Sequence, residues 1–355
     1  MYYSKKILRK FLSCKSLLYL FTCVLTAIFF YGYIIRVYGA FPLVYPSAPM
    51  FKPPNESSYH NSDDTKSGRC LSNYFEDILL IIVYHFPFYE SIPLLKSFYK
   101  DVFTNILICG PKSYDNHYVM VIDVGGGLLG YECAGEAIRR YPSFRGYLYI
   151  NDDMVVNWWN FATLDKDKLW QGGAIIPNNE HVMGSRPIAT NWPWWNIKSK
   201  SAEACEDSYL EIMHKYRNSA DIDVAALAET HLLNGRGKKV CFRMWSDLVY
   251  VPKRFSDRFQ KFSFIFHKNE VFLEVAVPTI MSFLDLRDSW EQHYGVYLPD
   301  MYGSIDFTDG KLVWPNYNYR INFIHPVKFQ GDKARVNREK LKYEIGPFSK
   351  NFTKC

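Results

Sequence analysis

Residues Gly146 to Phe161 read GYLYINDDMVVNWWNF, and the fold turns on how this stretch is read. GYLYIN is a short apolar run of strand character that ends on two adjacent carboxylates, Asp152 and Asp153, with paired tryptophans close behind. Two like charges a few ångströms apart raise each other's pKa unless a cation or hydrogen-bond donors stabilise them. A divalent ion removes that cost, because Mg²⁺ or Mn²⁺ takes one or two carboxylates together with phosphate oxygens and water. A plain strand-to-turn junction, with Asp153 as a cap and Asn151 in a local turn bond, is the competing account. What precedes the stretch favours the ion.

Upstream, strands alternate with helices. DILLIIVYHF (77 to 86) is a β-branched apolar run, and PFYESIPLLKSFYK (87 to 100) spaces Ile92, Leu95 and Tyr99 along one helix face. TNILICG (104 to 110) and VMVIDVGGG (119 to 127) read as strands running into glycine, and GYECAGEAIRRYP (130 to 142) reads as a helix stopped by Pro142. Such alternation predicts a Rossmann-type α/β domain, a mainly parallel sheet with helices packed on it. Ligands of such sheets sit outside the carboxyl ends of the strands, where Asp123 and the pair Asp152, Asp153 fall. Downstream, 170 to 176 and 240 to 250 contain strand-like segments, 202 to 217 and 222 to 233 look helical, and 271 to 284 reads as a helix interrupted by Pro278. No internal repeat is visible.

The N-terminus places this domain. Lys5, Lys6, Arg9, Lys10 and Lys15 precede an uncharged run from Ser16 to Ile35 that ends at Arg36; twenty helical residues span about 30 Å, the apolar thickness of a bilayer. A cleaved signal peptide fits less well, since the run is long, aromatic and lacks a small-residue cleavage site. The basic flank predicts a type II layout, with residues 1–15 in the cytoplasm, 16–36 as a signal anchor, 37–69 as a proline-rich lumenal stem and 70–355 as the lumenal domain. The first forty residues hold six Lys/Arg and no Asp/Glu, which is the whole of the chain's net +6. The remainder is neutral, and nucleic acid is not an expected partner. Outside the anchor, Cys70, Cys109, Cys133, Cys205, Cys241 and Cys355 allow up to three disulfides in an oxidising compartment, with a free thiol at Cys109 equally open. Asn55 (NES) and Asn351 (NFT) are glycosylation sequons.

Sugars present C–H faces that stack on aromatic rings, so Trp158, together with Trp192, Trp194 and Trp195 of TNWPWWN, are candidates for an acceptor cleft. Transfer with inversion needs a base for the acceptor proton. Glu274, an acid inside the apolar run FLEVAVPT, and Asp247 of MWSDLVYVP are the candidates.

With these residues assembled, the chain resembles the GT-A glycosyltransferases of the Golgi, and more narrowly the STELLO-type glycosyltransferase-like proteins, over roughly residues 75 to 330. The resemblance implies a GT-A-like mixed sheet flanked by helices, behind a single transmembrane helix and stalk. It implies a DxD-type motif at Asn151-Asp152-Asp153, with Asp153 and Asp152 holding Mn²⁺ or Mg²⁺ and Asn151 standing where such motifs carry their first acid. It further implies a histidine ligand at His325, a phosphate contact at Lys328, and nucleotide contacts at Tyr84, His85 and Asp123. The function implied is transfer of a sugar from a nucleotide sugar to a glycan or other hydroxyl acceptor in the Golgi lumen. A non-catalytic scaffold that helps traffic other Golgi enzymes is the alternative, motivated by the missing first acid. A lumenal hydrolase finds no GxSxG or HExxH support, and although Gly125, Gly127 and Gly130 keep dinucleotide-fingerprint spacing, the required acid at a second strand end is missing.

Overall fold

A computed structural model describes residues 71–173, 180–185, 192, 194–195, 200–298 and 307–353, within a compact unit that runs from Gly68 to Cys355. The central sheet has seven strands. Four run in the upstream half, β1 (Ile78–Val83), β2 (Asn105–Gly110), β3 (Met120–Val121) and β4 (Gly146–Asn151), and β1 pairs parallel with both β2 and β4. Beyond β4 the sheet reverses: β9 (Leu248–Pro252) lies antiparallel to it and to β6 (Trp170–Gln171), and β10 (Glu291–Gln292) closes that edge. The order is β10-β6-β9-β4-β1-β2-β3, a mixed sheet flanked by helices. Two small sheets accompany it: β5 (Val155–Val156) with β11 (Val296–Tyr297) and β12 (Phe323–His325), and β7 (His181–Val182) with β8 (Val240–Cys241).

Why β1 is an unbroken apolar run follows from its position. A central parallel strand is covered on both faces, and here Leu79, Ile81 and Val83 enter one core while Ile78, Leu80 and Ile82 enter the other. The first core is shared with helices α2 (Glu132–Arg140), α5 (Lys253–Lys268) and α6 (Leu273–Leu284), and the second with α1 (Ile92–Tyr99) and the C-terminal segment. Helices α3 (Ser201–Lys215) and α4 (Val224–Asn234) complete the first layer, with Asp223 accepting from Ala225 and Ala226 N–H as the α4 N-cap. Two disulfides tie elements together, Cys109–Cys133 joining β2 to α2 and Cys205–Cys241 joining α3 to β8. Cys109 is therefore bridged rather than free. Cys70, Cys355, Asn55 and the 16–36 run lie outside the described residues, among which no helix is long and apolar enough to cross a membrane.

Two expectations are corrected, the interrupted helix and two of the cleft tryptophans. Helix α6 passes through Pro278 without interruption. Proline has no N–H to give the carbonyl four residues earlier, and the Glu274 carbonyl freed in this way accepts from Met244 N–H at 2.9 Å instead. The strand-like segments expected within 240 to 250 are β8 and the start of β9, and the one expected within 170 to 176 begins with β6, residues 174–176 lying outside the described ones. Trp158 and Trp195 are core residues: Trp158 packs edge-on to Phe75 and Phe352, and Trp195 joins the helical core. Neither lines a cleft.

The core also holds two neutral histidines. His293 stacks on Phe161 with neither ring nitrogen hydrogen-bonded, and burial pushes its pKa down to about 3. His231 accepts from Val240 N–H at Nε2 and meets the Ser282 hydroxyl at Nδ1; burial, aided by Lys239, lowers it to about 4. Both folded pKa values lie below the unfolded value near 6.5, so this stability is fully present above about pH 6.5 and is lost as pH falls towards 4 and then 3. At 1.36 kcal/mol per unit, the loss on acidification is about 3 kcal/mol for His231 and about 5 kcal/mol for His293. Melting temperature is expected to fall steeply between pH 6.5 and 4, and His293→Phe is expected to flatten that fall. Parallel pH profiles for the two proteins would contradict the assignment.

Candidate functional site

The site forms at the carboxyl end of β4, and strand register builds it. In β5 and β12, Val155 pairs with Ile324 and Val156 with Phe323 in antiparallel register, which delivers the next residue of β12, His325, beside Asp153. The Asp153 carbonyl accepts from Val327 N–H at 2.6 Å, fixing the return of the chain. His325 Nε2 stands 3.1 Å from Asp153 Oδ1 and 3.7 Å from Asp247 Oδ1, and the Lys328 ammonium pairs with Asp153 Oδ2.

Asp247 arrives from the start of β9, and its role is set by Asn151. The Asn151 amide donates to Asp247 Oδ1 at 2.6 Å and its oxygen accepts from the Tyr149 hydroxyl at 2.7 Å. Both ends of this buried amide are satisfied. Asp247 is thus held from across the sheet against the first residue of the motif.

Electrostatics separate the carboxylates. Burial favours protonation of Asp153, but Lys328 and His325 outweigh it and hold the carboxyl well below its usual range. For Asp152, burial and the neighbouring Asp153 charge act together and push the pKa well above the ordinary value. Burial opposes charge on His325 as well, yet Asp247 and Asp153 raise it to about 9. Glu274, on the first turn of α6, is pushed up to about 8, chiefly by burial and then by Asp247, with Arg243 and His325 opposing. His85 follows β1; burial depresses its pKa and its Nε2 has no partner. It sits under the triglycine turn, where Gly127 has φ +104° and a Cβ would come within 2.7 Å of the His85 ring.

The fit of a divalent ion can be judged from Asp153 Oδ1. That oxygen is buried and has no hydrogen-bond donor, since the His325 approach is an ion-pair distance without hydrogen-bond alignment. Neighbouring ligands of an octahedral ion with bonds near 2.1 Å stand about 3 Å apart, close to the observed separation. Among the described residues no group of three or more His, Cys, Asp or Glu side chains surrounds one point. An ion held by Asp153 and His325 would therefore depend on phosphate oxygens and water for the rest of its shell, as Mg²⁺ commonly does.

Other candidates lie elsewhere. Tyr84 directly follows β1 and is fully buried, its hydroxyl 2.8 Å from Ser91 Oγ and within the field of Asp152. Asp123 is exposed beyond β3, where its carboxylate accepts from Gly125 N–H at 3.0 Å and its carbonyl meets His267. Trp194 stacks on Phe272, and Trp192 lies under the Arg243 guanidinium at 3.8 Å. Asn351 is exposed in the C-terminal turn. Arg243, Trp245 and Tyr297 also face this region and escaped the reading of the sequence. For Arg243 and Trp245 the signal that could have found them is the alternation along 243 to 248, and no local signal marks Tyr297.

No family model matches the chain. Two curated proteins of Arabidopsis thaliana are similar to it: the probable glycosyltransferase STELLO2, 22% identical over 221 residues or 62% of this chain, and the probable glycosyltransferase STELLO1, 20% identical over 262 residues or 73% of this chain. The matches cover 26% and 30% of those relatives' own lengths. These similarities, with the mixed sheet and its acidic edge, define a glycosyltransferase-like protein. Within that class the chain is similar to the STELLO-type glycosyltransferase-like proteins and spans less than a third of their length.

Proposed function

We propose that the domain is a lumenal Golgi glycosyltransferase that moves a sugar from a nucleotide sugar to a hydroxyl acceptor, anchored to the membrane as a single-pass type II protein. The observation that carries it is the meeting of Asp153, His325 and Lys328 at one strand end, with an orphaned carboxylate oxygen between them. The two disulfides support an oxidising compartment.

Asp153 would hold Mn²⁺ or Mg²⁺, with Asp152 adjacent, and His325, which is protonated without the ion, would join as a ligand on giving up its proton. When bound, such an ion supplies charge neutralisation for a departing diphosphate. Lys328 adds a second positive charge for the same group. In the transfer, the acceptor oxygen bonds to the anomeric carbon, and the bond from that carbon to the diphosphate breaks with its electron pair leaving on the nucleoside diphosphate. The acceptor proton passes to the Glu274 carboxylate. A pKa near 8 makes that group a strong base that is partly ionised at neutral pH.

Thermal shift of the full chain in detergent, with Mn²⁺ and a panel of nucleotide sugars, tests this reading. A saturating donor is expected to stabilise by about 2.7 kcal/mol at a hundredfold excess over Kd, a rise of several degrees. The shift should require metal and nucleotide together and vanish in Asp153→Ala. No response to any donor would leave the scaffold reading as the better account.

A further inference from the structure

From residue 243 to 248 the chain alternates: Met244, Ser246 and Leu248 are fully buried, while Arg243, Trp245 and Asp247 are partly open on the opposite side. The segment is held in place by the Met244 N–H bond to the Glu274 carbonyl. Its indole packs against Tyr297 of β11 with ring centroids 4.5 Å apart, and Tyr297 in turn meets the His325 ring at 5.6 Å. The Tyr297 hydroxyl is buried without a hydrogen-bond partner and lies in the field of Asp247 and Glu274. An aromatic surface therefore begins one ring away from His325, edged by a guanidinium, a phenol and two carboxyl groups.

We propose that Trp245 and Tyr297, edged by Arg243 and Glu274, form the acceptor subsite, and that the acceptor is a carbohydrate. A pyranose offers an apolar C–H face for Trp245 and a ring of hydroxyls for the Tyr297 Oη, Arg243 and Glu274. A hydroxyl of a sugar seated there lies beside the acid assigned to take its proton. The subsite deepens the transferase reading and rests on donor binding at Asp153.

The full chain in detergent is tested on immobilised glucosides, galactosides, mannosides and N-acetylglucosaminides of defined structure, with the nucleotide-sugar thermal shift measured in parallel. The expected result is binding of at least one pyranoside, about tenfold weaker in Trp245→Ala and in Tyr297→Phe, close to normal in Trp245→Phe, and with the donor shift kept in all three. Tyr297→Phe removes one oxygen and guards against simple misfolding. Undiminished binding by Trp245→Ala, or no saccharide bound while the donor shift persists, overturns the subsite and leaves the donor reading standing. Saccharide binding that depends on Trp245 without any donor shift supports the subsite and removes the donor reading. Absence of both overturns both.

Discussion

Glu274→Gln is expected to lower sugar transfer by about 10²- to 10⁴-fold, the usual contribution of a positioned general base, while the metal-dependent donor shift persists. The glutamine keeps the size and the hydrogen-bonding ability of the side chain but cannot accept a proton. The pH profile carries the sharper test. A base must be ionised to act, and burial raises the Glu274 pKa to about 8, so transfer by the wild-type protein should climb with pH and level off above that value. The glutamine variant should lack the climb. Because a base of this kind belongs to single displacement, the product should have inverted anomeric configuration by NMR. Retained configuration, or a variant as active as the parent, would remove Glu274 from the mechanism.

Asn151→Asp is expected to destabilise the fold by about 4 kcal/mol at pH 7, although it restores the acid that DxD-type motifs carry first. The new carboxyl would lie where the amide now donates to Asp247 Oδ1 at 2.6 Å, in a position only 1% exposed. Two charges that close repel by about 6 kcal/mol at an effective dielectric of 20. Protonating the new acid at pH 7 from an ordinary pKa near 3.9 costs about 4 kcal/mol. The smaller figure wins, so the residue folds as a neutral acid that donates to Asp247. The sign of the pH dependence follows: a raised folded pKa costs nothing below the unfolded pKa, and the penalty grows as pH rises above it. Unfolding of variant and parent by urea should differ at pH 7 and converge near pH 4. A gap that stays constant with pH would show that charge is not the cause.

The strands that build the site were legible because each is a complete local signal. ILLIIV is apolar and GYLYIN nearly so, both are buried for their whole length, and the residues after them mark the sheet edge where Asp153 sits. What could not be read is pairing over long separations. Asn151 finds Asp247 96 residues away and Asp153 meets Lys328 175 residues away, and no local pattern announces either partner. The two-residue strands β5, β10 and β11 are too short for periodicity to register. Tryptophans were misplaced for a related reason: a ring that stacks on sugar and a ring that fills a core are the same residue, and only the packing of Phe75 and Phe352 around Trp158 decides between them. Helix α5 was missed despite a readable signal. Its buried Phe255, Phe259, Phe262 and Phe266 recur every three or four positions, but a run so rich in phenylalanine also suits a strand.

Pro278 carries a consequence for how the segment from 243 to 248 is held. A helix normally spends each carbonyl on itself, whereas this one leaves a single acceptor facing outward at Glu274, and the polypeptide that carries Arg243, Trp245 and Asp247 hangs from it. One peg thus ties two stretches of backbone, so the start of α6 and the segment that bears the Trp245 indole shift together when either moves.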